Sequence, residues 1–177
     1  DIIKRALDKV NSGASEDYQI VRYEVIGPNG STAIVECLTD NVNRSVGDVR
    51  TAINKSKCKM GAMNSVSYNY DYLAVATFKC SNEEDILMAL LDDGVDVVDE
   101  EFNDNTLTIS VNPTEQYKMK QALNKVMPNI EYLVDEVVFY PKEKVTLNGE
   151  DKELFDRLLS LLDNVEDVKT VYHNVEL

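Results

Sequence analysis

Residue types that support common enzyme and metal chemistry are scarce in this chain of 177 residues. It has no tryptophan, one histidine and three cysteines (Cys37, Cys58 and Cys80), which form no CxxC pair. A zinc ribbon, a His-pair metal site and a disulfide framework are therefore not supported. Because unpaired cysteines are typical of a reducing compartment, we expect a cytoplasmic protein.

Long apolar runs and common catalytic motifs are also missing. No stretch approaches the roughly 18 apolar residues that span a bilayer, so we expect no membrane partner. The chain contains no GxGxxG, Walker A, HExxH or GxSxG motif. Catalysis through a histidine would depend on His173 alone, between Tyr172 and Asn174 near the end of the chain. We therefore expect a protein that is not an enzyme and that needs no cofactor or metal.

Basic residues are the minority, with 18 Lys and Arg against 32 Asp and Glu and a net charge of −14. Overall charge therefore disfavours binding to a nucleic-acid duplex. Two segments depart from this average. Residues 80–117 contain eleven acids and no Lys or Arg. Residues 44–59 contain one acid, Asp48, and five basic residues, which are Arg44, Arg50, Lys55, Lys57 and Lys59.

The five basic residues predict a surface that faces nucleic acid. Lys and Arg side chains neutralise phosphates, so a basic island binds a backbone that the rest of an acidic chain repels. The expected partner is DNA or ribosomal RNA, and the acidic stretch offers a surface to a protein partner. The alternative is that both stretches are ordinary solvated faces, because lysine-rich helix ends and acidic helices are common.

The first region has the apolar pattern of a small antiparallel sheet. We expect two strands around a Gly-Pro-Asn-Gly turn, a helix and a third strand, over 18–26, 32–38, 42–53 and 65–70. Tyr68, Tyr70 and Tyr72 then follow at a spacing of two residues. They either stack on single-stranded bases or form one wall of a core, and this spacing favours the core.

From residue 72 to about residue 142 the order is strand, helix, strand, strand, helix, strand, which is the ferredoxin-like arrangement. A further helix and strand follow, and the first region lacks one element of each kind. We therefore expect an α+β fold with two ferredoxin-like α/β sandwich domains, the second inserted into the first. The predicted boundaries are 18–72 plus 143–177 for the discontinuous domain and 73–142 for the inserted one.

Three segments of the chain resemble the YebC family. They are Tyr23–Gly30 (YEVIGPNG), Val35–Arg44 (VECLTDNVNR) and Val171–Leu177 (VYHNVEL). The TDNxNR and YHN motifs occur in the family's order and spacing, and the likeness extends from about Ile2 to Leu177. It implies an N-terminal helical bundle followed by two α+β domains, the last inserted into the one before it. Residues 1–17 would then be the last helix of a missing bundle and its linker.

The resemblance also implies a role in gene expression. Members are described as probable transcriptional regulatory proteins with DNA-binding activity, and mitochondrial relatives as translational activators of a cytochrome oxidase subunit. Bacterial relatives are linked to ribosomes stalled on proline-rich segments. We therefore expect a DNA-binding transcriptional regulator. The first alternative is a ribosome-associated translation factor, and the second is a domain that senses a small molecule.

Ten residues match the family motifs. They are Gly27, Pro28, Gly30, Asp40, Asn41, Asn43, Arg44, Tyr172, His173 and Asn174. A structural role is equally open, since Gly-Pro-Asn-Gly turns a hairpin and Asp40, Asn41 or Asn43 can cap a helix. The chain departs from the family at Lys57-Cys58-Lys59, where members have a Gly-Gly loop, and at Met63-Asn64. We therefore expect a loop that is less permissive and more positive.

Overall fold

The computed structural model describes residues 17–177, which form two compact units. The outer unit comprises the described residues up to Asp71 together with Tyr140–Leu177, and the inserted unit is Tyr72–Phe139. The predicted remnant helix lies outside the described residues. The predicted domain boundaries fall close to the limits of these units and stay a prediction.

Twelve regular elements make up the described chain. In chain order they are β1 (Gln19–Ile26), β2 (Thr32–Thr39), α1 (Val42–Lys55), β3 (Lys59–Gly61), β4 (Tyr70–Lys79), α2 (Glu83–Asp92), β5 (Val97–Asn103), β6 (Thr106–Val111), α3 (Gln116–Val126), β7 (Val134–Pro141), α4 (Gly149–Asp163) and β8 (Val168–His173). Each unit combines a four-stranded antiparallel sheet with two of the described helices. The predicted α+β class with two ferredoxin-like sandwiches is confirmed.

The outer sheet has the strand order β3-β1-β2-β8. The hairpin β1–β2 pairs from Gln19 opposite Thr39 to Ile26 opposite Thr32, as its alternating residues predict. One face of the sheet packs against α1 and α4, whose buried stripes include Ile53 and Phe155. α1 contacts the edge strand β3, and α4 contacts β8 at the opposite edge.

The inserted sheet has the strand order β5-β6-β4-β7, and α2 and α3 contact each other over one of its faces. Its core includes Phe78, Leu107, Ile109 and Met119, all fully buried. Asn112 caps the segment that Pro113 opens before α3, because the Asn112 Oδ1 accepts the Thr114 N–H at 3.0 Å.

The strand predicted over 65–70 is wrong, because the segment before β4 is a loop with a short 3₁₀ turn at Ser67–Asn69. Its backbone N–H groups at Asn64, Val66 and Ser67 bind the side chain of Glu24 instead of a neighbouring strand. The alternation of Val66, Tyr68 and Tyr70 gives no sign of this competing partner.

Candidate nucleic-acid interface

Arg44, the first of the five predicted basic residues, is held by two carboxylates. Its Nε and Nη2 donate to the two oxygens of Asp167, each at 3.0 Å, and Nη2 also donates to Asp40 Oδ1 at 2.8 Å. These hydrogen bonds raise the pKa of the Arg44 guanidinium, and those to Asp167 contribute more than the one to Asp40. Its charge is balanced inside the outer unit, so Arg44 does not offer a free charge to a phosphate.

Asp167 is the centre of this cluster, and no sequence pattern singled it out. Its side chain is 1% exposed. Besides Arg44, its Oδ2 accepts hydrogen bonds from Ser45 Oγ at 2.8 Å and Thr39 Oγ1 at 3.1 Å. A buried carboxylate requires such partners. Asp167 therefore fastens the turn before β8 to the junction between β2 and α1, which is far away in sequence.

The polar TDNxNR motif occupies that junction. Asn41 caps α1, because its Oδ1 accepts the Arg44 N–H at 3.1 Å. Asp40 is engaged by Arg44 as described above. Asn43, in contrast, is exposed and forms no hydrogen bond through its side chain within residues 17–177. Asp40, Asn41 and Arg44 of the motif therefore make structural contacts, whereas the side-chain amide of Asn43 is exposed to solvent.

The Gly-Pro-Asn-Gly turn and the YHN motif meet in the outer unit. Asn174 accepts the Thr32 N–H on Oδ1 at 2.8 Å and donates from Nδ2 to the Gly30 carbonyl at 3.1 Å. Gly30 has a φ of +83°, which suits glycine, and Gly27 leaves room for the side chain of Ser31. These contacts fix the turn that begins at Gly27 and Pro28.

His173 is packed within the outer unit. Its ring contacts Phe155 edge to face at 5.3 Å between centroids, and its Nδ1 accepts the Val175 N–H at 3.2 Å. Burial, together with the positive charge of Lys144, lowers the pKa of His173. Tyr172 lies on the other face of the sheet, paired with Ile34. These contacts account for the YHN motif through packing and hydrogen bonding.

Two of the remaining basic residues lie at the β3 edge of the outer sheet, and a third lies on α1, the helix that contacts β3. Lys57 follows α1, and Lys59 is the first residue of β3. Arg50 lies on α1, about 140° from Lys55 around the helix axis. All three are exposed, and none forms an ion pair with any residue in the described range. We call Arg50, Lys57 and Lys59 the basic edge.

Lys55 lies apart from the basic edge. It lines a groove of about 390 Å³ beside α4, together with Asp48 and Glu166. Lys55 forms no ion pair with a described residue, but it shares this groove with the two acids. Three of the five predicted residues therefore belong to β3, the turn before it or the helix that contacts it, whereas Arg44 is paired with carboxylates and Lys55 lines a groove beside α4.

Lys57 has a left-handed backbone, with a φ of +56°. It closes the end of α1, where its N–H donates to the Asn54 carbonyl at 3.1 Å and the Cys58 N–H donates to the Ile53 carbonyl at 3.0 Å. Glycine is the usual residue at such a position. The chain thus places an exposed cation at a site where glycine would cost less backbone strain.

The three tyrosines predicted as one wall have different surroundings. Tyr70 is buried, and its hydroxyl shares a hydrogen bond of 2.9 Å with Thr32 Oγ1. Tyr72 stacks on Phe139 at 4.3 Å between ring centroids. Tyr68 is 65% exposed in the turn before β4. The core interpretation therefore holds for Tyr70, and Tyr68 presents its ring to solvent.

The acidic stretch belongs to the inserted unit. Most of its carboxylates are exposed, and α2 begins with Glu83, Glu84 and Asp85 next to the N-terminal end of the helix dipole. Within residues 17–177, no group of acids, cysteines and histidine is placed to hold a metal ion. No helix of the described chain is both long and apolar enough to cross a membrane.

Comparison with known proteins identifies the family. The family model described as the second and third domain of TACO1/YebC matches residues 18–175. A protein of Alcanivorax borkumensis named "Probable transcriptional regulatory protein" is 44% identical over 99% of this chain and 74% of its own length. A relative of the same description from Vibrio parahaemolyticus is 45% identical over the same shares.

A solved structure has the same fold. The conserved hypothetical protein of Aquifex aeolicus superposes with a TM-score of 0.67 at 26% identity, over 90% of this chain and 65% of that chain. The names of the relatives are those of regulators of gene expression, which is the class of protein that the family match indicates. The chain belongs to the TACO1/YebC family, of which it carries the second and third domains.

Proposed function

We propose that this protein is a non-enzymatic regulator of gene expression that binds nucleic acid through the basic edge. The observation that carries the proposal is the set of three exposed cations, Arg50, Lys57 and Lys59, with no acidic partner in the described chain. The other ion pairs within that range involve residues outside this set. When unpaired cations of a protein neutralise phosphates, the counterions condensed on the nucleic acid are released, and this release favours binding.

DNA is the first target that we propose, because the relatives are named probable transcriptional regulatory proteins. Ribosomal RNA is the second target, and the charge distribution favours it. A net charge of −14 repels a long duplex, whereas a short basic edge suits a structured target that the protein meets at one place. A cytoplasmic location and a protein partner at the acidic inserted unit stay predictions.

Salt dependence of binding tests the proposal. Three phosphate contacts predict a slope of log K against log salt of about −2.7 for duplex DNA. Changing Arg50, Lys57 and Lys59 to Gln should bring this slope close to zero and weaken binding at low salt. The matched control changes three lysines that already pair with acids, namely Lys118, Lys125 and Lys152.

The control triple variant should retain the wild-type slope, because ion-paired lysines release few counterions. Equal loss in both triple variants would show that binding follows total charge, and it would contradict a defined interface. Lys55→Gln should have a smaller effect than any basic-edge variant. Parallel titrations with duplex DNA and ribosomal RNA then decide which target binds more tightly.

A further inference from the structure

The loop between β3 and β4 is fastened to the outer sheet by a buried carboxylate. Val25 faces the helices, so its neighbour Glu24 points to the opposite face of the sheet. Its carboxylate accepts the N–H of Asn64 at 2.6 Å, Val66 at 2.8 Å and Ser67 at 2.7 Å. Burial raises the pKa of Glu24, but these hydrogen bonds outweigh it, and the net pKa lies below 4.5.

The loop is also held by contacts of its own. Ser65 donates its N–H to the Ala62 carbonyl at 3.1 Å and its hydroxyl to the same carbonyl at 2.6 Å. Asn64 adopts a left-handed φ of +67°, and Gly61 has no space for a Cβ because Ser65 Oγ occupies it. A buried charge and a left-handed Asn both cost free energy. A loop that only connected two strands would need neither of them.

Two large side chains project from this fastened loop. Met63 is 87% exposed, and Tyr68 is 65% exposed. Met63 precedes Asn64 and Tyr68 follows Ser67, so each adjoins a residue that Glu24 holds. The carboxylate thus fixes the backbone of the segment between the two exposed side chains. We call Met63 and Tyr68 the displayed pair.

The loop that carries the displayed pair follows β3, whose first residue is Lys59 of the basic edge. Lys59 pairs with Ile26, which is two residues from Glu24, so Lys59 and the Glu24 carboxylate are on the same face of the sheet. Lys59 also precedes Met63 by four residues. An aromatic or apolar surface beside cations is the combination by which proteins bind single-stranded nucleic acid, since every base has a face that can stack.

We propose that Met63 and Tyr68 form a stacking platform for an unpaired base of a nucleic acid whose phosphates contact the basic edge. This inference rests on the proposed function and narrows it to targets with single-stranded segments. A base inside a duplex is already stacked on its neighbours and cannot reach the platform without unpairing. The side chain of Glu24 acts as a positioning residue, because it holds the platform without touching the base.

The experiment uses a short single-stranded RNA that carries one 2-aminopurine, whose fluorescence responds to stacking. Changing Met63 and Tyr68 together to Ala should weaken binding about tenfold and abolish the fluorescence change. The slope against salt should stay at its wild-type value, since no charge is removed. Tyr68→Phe keeps the ring and should bind like the wild type.

The inserted unit offers a matched control. Met88 and Tyr117 are a second methionine and tyrosine with large exposure, at 56% and 74%. Changing both to Ala should leave affinity, fluorescence and salt slope unchanged. Equal loss in this control variant would overturn the inference, because it would show a general effect of exposed apolar side chains.

The outcomes separate this inference from the proposed function. Suppose that the Met63 and Tyr68 variant has the affinity and the fluorescence change of the wild type, while the basic-edge variant loses its salt dependence of binding. The stacking platform is then overturned and the nucleic-acid function stands. If the wild type shows no salt-dependent binding to RNA or DNA, both are overturned. A duplex of the same sequence should bind the displayed-pair variant and the wild type equally, and a tenfold loss on the duplex would contradict stacking of an unpaired base.

Discussion

The two units share an architecture but bury different kinds of side chain. Among the described residues, the buried charged side chains are Glu24, Glu36 and Asp167, and all three belong to the outer unit. The buried polar residue of the inserted unit is Ser110. Because burying a charge costs free energy unless it is fully paired, the difference indicates that the outer unit requires fixed polar contacts that the inserted unit does without.

Each buried charge of the outer unit joins segments that are distant in sequence. Glu24 holds the loop before β4, and Asp167 holds the start of α1. Glu36 accepts a hydrogen bond from Arg22 at 2.8 Å and lies 3.5 Å from Lys169 on β8. The ion pairs of the inserted unit involve no buried carboxylate, and neighbouring strands of its sheet share a neutral contact, a hydrogen bond of 2.9 Å between the hydroxyls of Thr77 and Thr108.

The largest expected effect is at Asp167. Asp167→Ala should lower the free energy of unfolding by about 3 to 5 kcal/mol, because it leaves Arg44, Ser45 and Thr39 without their shared acceptor. Chemical denaturation at pH 7 measures this loss. Asp156→Ala is the control, since Asp156 is exposed and forms an ion pair with Lys152 on the same helix. Its effect should stay below about 1 kcal/mol. Equal losses of stability in the two variants would contradict the conclusion that the buried cluster around Asp167 stabilises the fold more than an exposed ion pair does.

Glu24→Gln should have the next largest effect, a loss of about 2 kcal/mol at pH 7, because the amide keeps only one oxygen for three N–H donors. The pH dependence provides the sharper test. Since the folded pKa of Glu24 lies below 4.5, its contribution to stability is present above that value and is lost as the pH falls through the lowered pKa.

Denaturation curves at several pH values therefore distinguish the Glu24 variant. The stability of the wild type should fall more steeply on acidification than that of Glu24→Gln. Parallel pH profiles would show that the Glu24 carboxylate is not a significant source of acid sensitivity. Glu136→Gln, at an exposed position of the inserted unit, should leave the stability at pH 7 unchanged.

A smaller effect of opposite sign is expected at Lys57. Lys57→Gly should raise the free energy of unfolding by up to about 1 kcal/mol, because glycine adopts the left-handed φ without strain. The same change at Lys55, the last residue of α1, should instead destabilise by about 0.5 to 1 kcal/mol. Thermal or chemical denaturation of both variants measures the difference. A loss of stability at both positions would refute strain at Lys57.

The smallest effect is expected in the inserted unit. Changing both Thr77 and Thr108 to Val should alter the free energy of unfolding by less than about 1 kcal/mol, because the two hydroxyls leave together and neither is left unpaired. Single changes should cost more than the double change. If the double variant were as unstable as Asp167→Ala, the contrast between the two units would not hold.

Much of the fold follows from local pattern. The ferredoxin-like order of the inserted unit is visible in its apolar alternation and in the Asn-Pro start before α3. The cap of α1 by Asn41 was one of three candidates that the polar motif offered. The family match also confirms the resemblance carried by the TDNxNR and YHN motifs.

The candidate site was predictable only in part. Charge counting located Arg50, Lys57 and Lys59, but it also included Arg44, whose partner Asp167 is 123 residues away. Charge counting also could not distinguish Lys55 from Arg50. Lys55 lies in a groove beside acids because of where α4 packs, and the local sequence does not show that packing. The sequence gives no sign of the roles of Glu24 and Tyr68. Both residues fit the alternation of a regular strand, so the pattern does not show that one is a buried acceptor and the other is exposed in a loop.

The class of the fold, the order of most elements and a local excess of positive charge could all be predicted from the amino-acid sequence. These properties depend on residues close together in the chain, through helix and strand periodicity and through capping. Tertiary structure alone decided which charges are free, because a buried carboxylate acts on whatever the fold brings within hydrogen-bonding distance. It also decided that the segment before β4 is a loop displaying Met63 and Tyr68, since Glu24 supplies the acceptors that a neighbouring strand would otherwise provide.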